Sequence, residues 1–191
     1  MASNWSISHA VKIIQQGGVI AYPTESVFGL GCDPGNLQAV AHLLALKNRS
    51  YHKGLILVAS DLTQATPYLA PLSQAMLRQI NTSKNKHITW LLPARDDVSP
   101  LLCGDFPASR KKMAIRITHF PLIKALCEQL ASPIVSTSAN LSGKKMTYSV
   151  LQIRQQFHNK LDLILNGQLG EQSSPSEIRD ALSGKLIRSK V

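Results

Sequence analysis

The sequence predicts an α/β fold, a twisted mixed β-sheet flanked by helices, on three observations. Runs with helical periodicity alternate along the chain with short apolar runs rich in β-branched residues. Apolar residues make up 44% of the 191, enough for a sizeable core. No repeat, low-complexity tract or linker longer than a loop interrupts the pattern. The length fits one domain over residues 1–191.

In chain order, residues 9–16 read as an amphipathic helix stopped by Gly17-Gly18, because glycine accepts the backbone turn that ends helices. A strand at 19–23 follows. Residues 37–47 place apolar side chains at 37, 40, 41, 43 and 44, which is a helical period. Residues 55–59 are a short, fully apolar run, the pattern of a buried strand. Pro71 suits the first position of a helix at 71–80. Strands at 88–92 and 113–118 precede a helix at 121–130, again with Pro near its start. A strand at 133–136, a helix at 150–157, a strand at 161–165 and a last strand at 186–188 complete the series. Residues 94–112, rich in Pro, Asp, Ser and Gly, read as a mobile loop.

Composition narrows the function classes. No apolar run approaches the roughly 18 to 20 residues that span a bilayer. The start, Met1-Ala2-Ser3-Asn4-Trp5, lacks the basic opening and apolar stretch of a secretory signal, so the cytoplasm is the expected compartment and no membrane partner is expected. Cys32, Cys103 and Cys127 are odd in number, widely spaced and without a CxxC, which predicts neither a disulfide framework nor a metal site. The formal net charge of +10 is unevenly spread: residues 1–46 carry a net −1, residues 47–160 a net +11, and residues 161–191 none. Such a basic block suits anionic partners, namely a nucleotide, a polyphosphate or RNA, although a basic solvated surface would look the same. With aromatics at 5%, stacking platforms for single strands are unattractive.

The common nucleotide and hydrolase signatures are missing: there is no GxxxxGK(S/T), no GxGxxG after a strand, no HExxH and no GxSxG. Four other segments carry polar groups at strand or helix ends. Ser136-Thr137-Ser138-Ala139-Asn140-Leu141-Ser142-Gly143 offers hydroxyls, an amide and a permissive glycine at a strand's carboxyl end, where α/β sheets bind ligands and phosphate finds donors. The same residues would also suit a turn that caps its own backbone. Lys47-x-Arg49-x3-Lys53 follows a helix. Lys47 could merely answer the helix dipole, but Arg49 and Lys53 lie beyond it and could grip two phosphates. In 113–118, alternation puts Ala114, Arg116 and Thr118 on one face, so Arg116 could hold a carboxylate in a cleft or simply sit on a solvated sheet. Arg110-Lys111-Lys112 just before it offers a further phosphate contact. In Tyr22-Pro23-Thr24-Glu25-Ser26-Val27-Phe28-Gly29-Leu30-Gly31 the polar trio at 24–26 ends the first strand, which by pattern is a turn with a possible site.

Taken together and in order along nearly the whole chain, these segments resemble the YrdC family, the threonylcarbamoyl-AMP synthases. The matching elements are Ala21-Tyr22-Pro23-Thr24-Glu25, Lys47-x-Arg49, Met113-Ala114-Ile115-Arg116, the Ser136–Gly143 segment, and Pro175-Ser176-Glu177-Ile178-Arg179-Asp180 with a closing Arg188. Because little follows Arg188, the chain looks like the short, single-domain bacterial form.

The resemblance implies a YrdC-like fold with a large basic cleft and an enzyme that condenses L-threonine, bicarbonate and ATP into threonylcarbamoyl-AMP and pyrophosphate, a nucleotidyltransferase reaction. It implies Mg²⁺ as cofactor and a downstream transfer complex that moves the threonylcarbamoyl group onto a tRNA adenosine beside the anticodon. Direct tRNA binding would be weak. By similarity Arg49, Lys53, Lys112, Ser138, Asn140 and Arg188 would bind ATP, with Lys47, Arg49 and Lys53 acting on the reacting phosphates. Thr24, Ser26, Arg116, Ser136 and Ser176 would hold threonine, Arg116 on its carboxylate. Three positions depart from the pattern: Asn85-Lys86-His87-Ile88-Thr89 replaces a Pro-Gly-Pro-x-Thr turn, Ser50 replaces a proline, and Val58 stands where some longer members place a histidine. The competing expectation is a non-enzymatic module that binds double-stranded RNA or tRNA during RNA maturation, which the basic block would also suit. An enzyme of sugar-phosphate chemistry on a related fold is remoter.

Overall fold

A computed structural model describes residues 3–83, 87–104, 111–172 and 174–189. Its elements are α1 (Asn4–Gln15), β1 (Ile20–Pro23), β2 (Phe28–Gly31), α2 (Leu37–Leu46), β3 (Ile56–Ala59), α3 (Gln74–Thr82), β4 (Ile88–Pro93), α4 (Pro100–Cys103), β5 (Lys112–Ile117), α5 (Pro121–Leu130), β6 (Ile134–Ser138), α6 (Val150–Phe157), β7 (Leu163–Ile164), β8 (Glu177–Asp180) and β9 (Leu186–Arg188). The strands join in the order β7-β1-β2-β6-β3-β5-β4-β8-β9. The sheet is mixed. Pairs β1–β7, β3–β5 and β4–β8 are parallel, and the remaining neighbours are antiparallel.

Alternating side chains give the sheet two apolar faces, and each is covered. Ile7, Val11 and Ile14 of α1 and Ile123, Leu126 and Cys127 of α5 pack over Ile20, Tyr22, Val58 and Ile134. Val40 and Leu43 of α2, Met76 and Ile80 of α3, and Ile153 and Phe157 of α6 cover Ala21, Leu30, Leu57, Met113, Ile115 and Val135. The Phe28–Gly31 strand has little room above it: a Cβ on Gly31 would lie 2.5 Å from the Val135 carbonyl oxygen and 2.8 Å from the Tyr22 ring.

Several boundaries move for reasons of capping. Helix α1 begins at Asn4 rather than residue 9, because the Ser3 hydroxyl accepts the Ser6 N–H. Helix α3 starts at Gln74 rather than Pro71, with Ser73 accepting from Met76. Residues 28–31 are a strand rather than part of a turn, and 177–180 are a strand that periodicity did not reveal. The stretch at 94–112 contains α4, capped by Ser99 and opened by Pro100. Residues 105–110 of that stretch, including Arg110, and Asn85 and Lys86 of the altered turn lie outside the described residues.

Candidate active site

Strand register builds the floor of the site. Ile56 of β3 stands opposite Ala114 on one side and Ser136 on the other, and Val58 stands opposite Arg116 and Ile134. Partners in register share a face, so Arg116, Ala114 and Ser136 look out together. Ser138, two residues beyond Ser136, points the same way and pairs with Gly29 across β2. Thr24 closes the β1–β2 hairpin, its hydroxyl donating to the Val27 carbonyl at 2.7 Å and its amide bonding the same oxygen. Ser176, just before β8, shares a 2.7 Å hydroxyl–hydroxyl bond with Thr89 of β4.

The segment after β6 is organised from within. Ser138 Oγ donates to Asn140 Oδ1 at 2.6 Å, and Asn140 Nδ2 donates to the carbonyls of Leu141 and Lys144. Beneath it lies Lys47, only 2% exposed, whose ammonium donates to the carbonyls of Ser138 and Asn140 while its own carbonyl accepts from Ser142. Burial brings the Lys47 ammonium down to about 7, and the Arg49 charge adds to the effect. Asn48 takes a left-handed conformation (φ 49°) at the end of α2, which asparagine tolerates better than most residues. That turn sends Lys47 under the 138–142 segment and Arg49 into the cavity.

The cavity, about 170 Å³, is lined by Thr24, Ser26, Arg49, Arg116, Ser136, Ser138, Ser176 and Arg188, with Val27, Phe28, Leu55, Ile56, Met146 and Pro175 supplying apolar wall. Arg49 donates to the Gly54 carbonyl at 2.9 Å, and Arg188 donates to the Ser176 carbonyl at 2.8 Å. Burial lowers both guanidinium pKa values, and neighbouring arginines lower them further: Arg188 acts on Arg49, and Arg116 acts on Arg188. Three crowded guanidiniums favour an anionic occupant, since arginine cannot shed its charge. The Nε atoms of Arg49 and Arg116 are buried without a hydrogen-bond partner.

Arg116 is not a solvated sheet-face residue. It is 9% exposed, its Nη1 lies 2.9 Å from His87 Nε2, and its Nη2 lies 3.3 Å from the Glu25 carboxylate. Glu25 in turn accepts from the Thr118 hydroxyl at 2.6 Å. Burial pushes the Glu25 carboxyl up, but Arg116 and the Thr118 hydroxyl outweigh it and hold the carboxyl below its ordinary value. Sequence reasoning passed over Glu25, His87 and Thr118 as partners. Alternation had put Thr118 on the face of Arg116, and Glu25 stood in the polar trio, so a buried arginine's need for a carboxylate was the available signal.

The remaining expected residues do not line the cavity. Asn140 and Lys47 organise the segment behind it. Lys53 sits exposed in a one-turn 3₁₀ helix, Tyr51–Lys53. Lys112 is held by the Asp180 carboxylate, which also accepts the N–H groups of Leu182 and Ser183 and so pins the β8–β9 turn to β5. Among the described residues no group of three His, Cys, Asp or Glu side chains could hold a metal, and no helix is long and apolar enough to cross a membrane.

The Sua5/YciO/YrdC family model, described as telomere recombination, matches residues 12–189. The threonylcarbamoyl-AMP synthase of Nitrosococcus oceani is 46% identical over 185 residues, covering 97% of this chain and 98% of that protein. Its counterpart in Photobacterium profundum is 44% identical over 185 residues, covering 96% and 98%. Among solved structures, E. coli YciO superposes with a TM-score of 0.83 at 26% identity, over 99% of this chain and 91% of that one. P. abyssi Sua5 complexed with L-threonine gives 0.87 at 24% identity, and its match covers 98% of this chain but only 55% of that longer one, a likeness of fold. These matches span nearly the whole chain, and the chain belongs to the Sua5/YciO/YrdC family.

Proposed function

We propose that this protein is a threonylcarbamoyl-AMP synthase, condensing L-threonine, bicarbonate and ATP into threonylcarbamoyl-AMP and pyrophosphate. The observation that carries the reading is the convergence of Arg49, Arg116 and Arg188 with Ser136, Ser138 and Ser176 on one cavity, in a chain whose relatives of nearly equal length bear that name. Bicarbonate gives up water to leave carbon dioxide, and threonine's neutral amine adds to its carbon and releases a proton to give a carbamate. A carbamate oxygen then attacks the α-phosphorus as the bond to pyrophosphate breaks. This nucleotidyl transfer asks for no protein nucleophile. It asks for two anions to be brought together in line and for charge to be balanced on the phosphates, which is what positioned guanidiniums and hydroxyls supply.

In this reading Arg49, Arg188 and Ser138 bind the triphosphate, and Lys47 and Asn140 keep the 138–142 segment in shape. Lys53, exposed outside the cavity lining, would meet the triphosphate only once the nucleotide is bound. Thr24, Ser26, Ser136 and Ser176 surround threonine, and Arg116 faces its carboxylate. The cavity's donors are cationic or neutral, and Glu25 is committed to Arg116, so Mg²⁺ fits as an ion carried on the phosphates of ATP rather than in a protein cage. The product would pass to the complex that modifies tRNA in the cytoplasm. The test is to incubate the purified protein with threonine, bicarbonate and Mg-ATP and follow pyrophosphate. Release that requires all three substrates supports the reading, and no release with all three present rejects it.

A further inference from the structure

We propose that Glu25 and His87 are positioning residues that clamp the Arg116 guanidinium from its two ends, and that the substrate carboxylate binds well only while His87 is neutral. The proposal deepens the function inferred above and rests on it.

The chemistry of the contacts fixes the protonation. Arginine has five N–H donors and no acceptor, so His87 Nε2, 2.9 Å from Nη1, must be the acceptor, with the imidazole proton on Nδ1. At the other end Nη2 faces Glu25 at 3.3 Å. Glu25 itself is firmly placed. Thr118 donates to its other carboxylate oxygen, the Gln172 N–H bonds its carbonyl at 2.9 Å, and Gly170 packs so close that a Cβ there would lie 2.7 Å from the same carbonyl. One N–H is thus committed to His87, the Nη2 end is ion-paired with Glu25 without a hydrogen bond, and the buried Nε keeps an unpartnered donor.

Orientation matters here because charge does not decide. Glu25 neutralises Arg116, so a carboxylate gains little net attraction from the pair and depends on directed N–H contacts. Among the described residues, the charged and titratable groups around the cluster include Arg116 on β5, Glu25 in the β1–β2 turn, Arg188 on β9, and Tyr22 and Cys127, whose burial keeps them neutral. Lys112 on the same strand as Arg116 is occupied by Asp180. Protonating His87 removes the acceptor and sets a second cation against Arg116. Glu25 is then drawn to both, and the guanidinium loses its fixed plane. Threonine binding therefore weakens as pH falls through the His87 titration, whereas triphosphate binding at Arg49 and Arg188 does not follow it.

The experiment compares wild type, His87→Ala, His87→Gln and Glu25→Gln in the full-length protein, measuring KM for threonine and for ATP across about pH 5 to 8, where histidine titrates. His87→Ala should raise the threonine KM about tenfold to a hundredfold, the usual worth of a hydrogen bond to a charged group, with the ATP KM unchanged. His87→Gln, whose amide oxygen can accept from Nη1, should restore most of the loss and abolish the acid limb. Glu25→Gln should also raise the threonine KM, with Glu25→Asp, too short to meet both partners, as the alternative if that variant does not fold. Equal changes in both KM values, or an acid limb that survives in His87→Gln, would overturn the clamp. Imidazole ¹⁵N spectra of wild type decide it independently of turnover: an unprotonated Nε2 at neutral pH supports the clamp, and a protonated one refutes it. If no pyrophosphate is released but the spectra show the acceptor Nε2, the functional reading fails while the contact stands.

Discussion

Lys47→Met removes one ammonium and keeps the buried stem, and its consequences can be worked from the contacts. Two carbonyls, of Ser138 and Asn140, lose the Lys47 amine as donor. A buried acceptor left unsatisfied costs about 1 to 3 kcal/mol, and water can reach part of this segment, so the pair should cost about 2 to 4 kcal/mol. For a domain of this size each kcal/mol moves Tm by about 2 to 4 °C, so a fall of roughly 4 to 16 °C is expected. The pH dependence supplies a second signature. The Lys47 value in the fold is about 7, against 10.5 for an ordinary lysine. Between those values the unfolded chain holds a proton that the folded chain has shed, so stability rises as pH climbs from about 7 toward 10. Thermal unfolding followed by circular dichroism at several pH values, with ATP affinity in parallel, is the assay. The variant should unfold earlier, lose that rise and bind ATP more weakly through the loosened 138–142 segment. If Tm and its pH dependence stay as in wild type while ATP binding falls, Lys47 meets the nucleotide directly and the argument from the two carbonyls is wrong.

Two further substitutions test neighbouring contacts. Arg116→Ala leaves the Glu25 carboxylate, with its side chain 15% exposed, without a countercharge; breaking such a pair should cost about 3 to 5 kcal/mol in chemical denaturation, besides raising the threonine requirement. Because Arg116 holds the Glu25 pKa down, that stability is present above the ordinary glutamate value and lost as pH falls, so wild type and variant should converge in acid, and parallel curves would argue against the pair. Lys112→Met should cost about 1 to 3 kcal/mol by stripping the charged donor from Asp180, which is 4% exposed, with ATP binding weakened only as far as the β8–β9 turn loosens. Unchanged stability together with a large loss of ATP affinity would return Lys112 to the phosphates.

Much of the fold was legible because its elements announce themselves locally. Residues 121–130 and 150–157 carry a helical period with Pro121 or Ser149 at the start, and both helices end where the pattern does. Leu163–Ile164 lies inside the strand read at 161–165, whereas Glu177–Asp180 was poorly legible because a strand of four residues is too short for alternation to show, and its pairing partner lies far away in the chain. The site divides in the same way. Residues at strand ends, such as Ser136, Ser138 and Arg116, could be found from position. Whether a cation faces the cavity or a neighbour could not, since the Lys112–Asp180 and Arg116–Glu25 pairs join residues 68 and 91 apart in the chain. Nothing in a spacing rule separates a lysine that reaches a ligand from one that holds two carbonyls.

That distinction also shapes what the cavity can discriminate. Its three guanidiniums come from the end of α2, the middle of β5 and the last strand, and bringing like charges together costs stability that each site offsets differently. Arg49 and Arg188 are met by neutral carbonyls, of Gly54 and Ser176, which leave their charge in place. Arg116 is met by a carboxylate, the one such partner among the three in the described residues, which offsets its charge, while His87 holds one of its N–H groups in direction. One side of the cavity therefore keeps a net positive field, which suits a ligand with several negative charges. The other is near neutral and geometrically constrained, which suits a single carboxylate recognised by shape. On the proposed function, a polyphosphate would prefer the first side and the amino acid's carboxylate the second, so that the two would not compete for the same arginine.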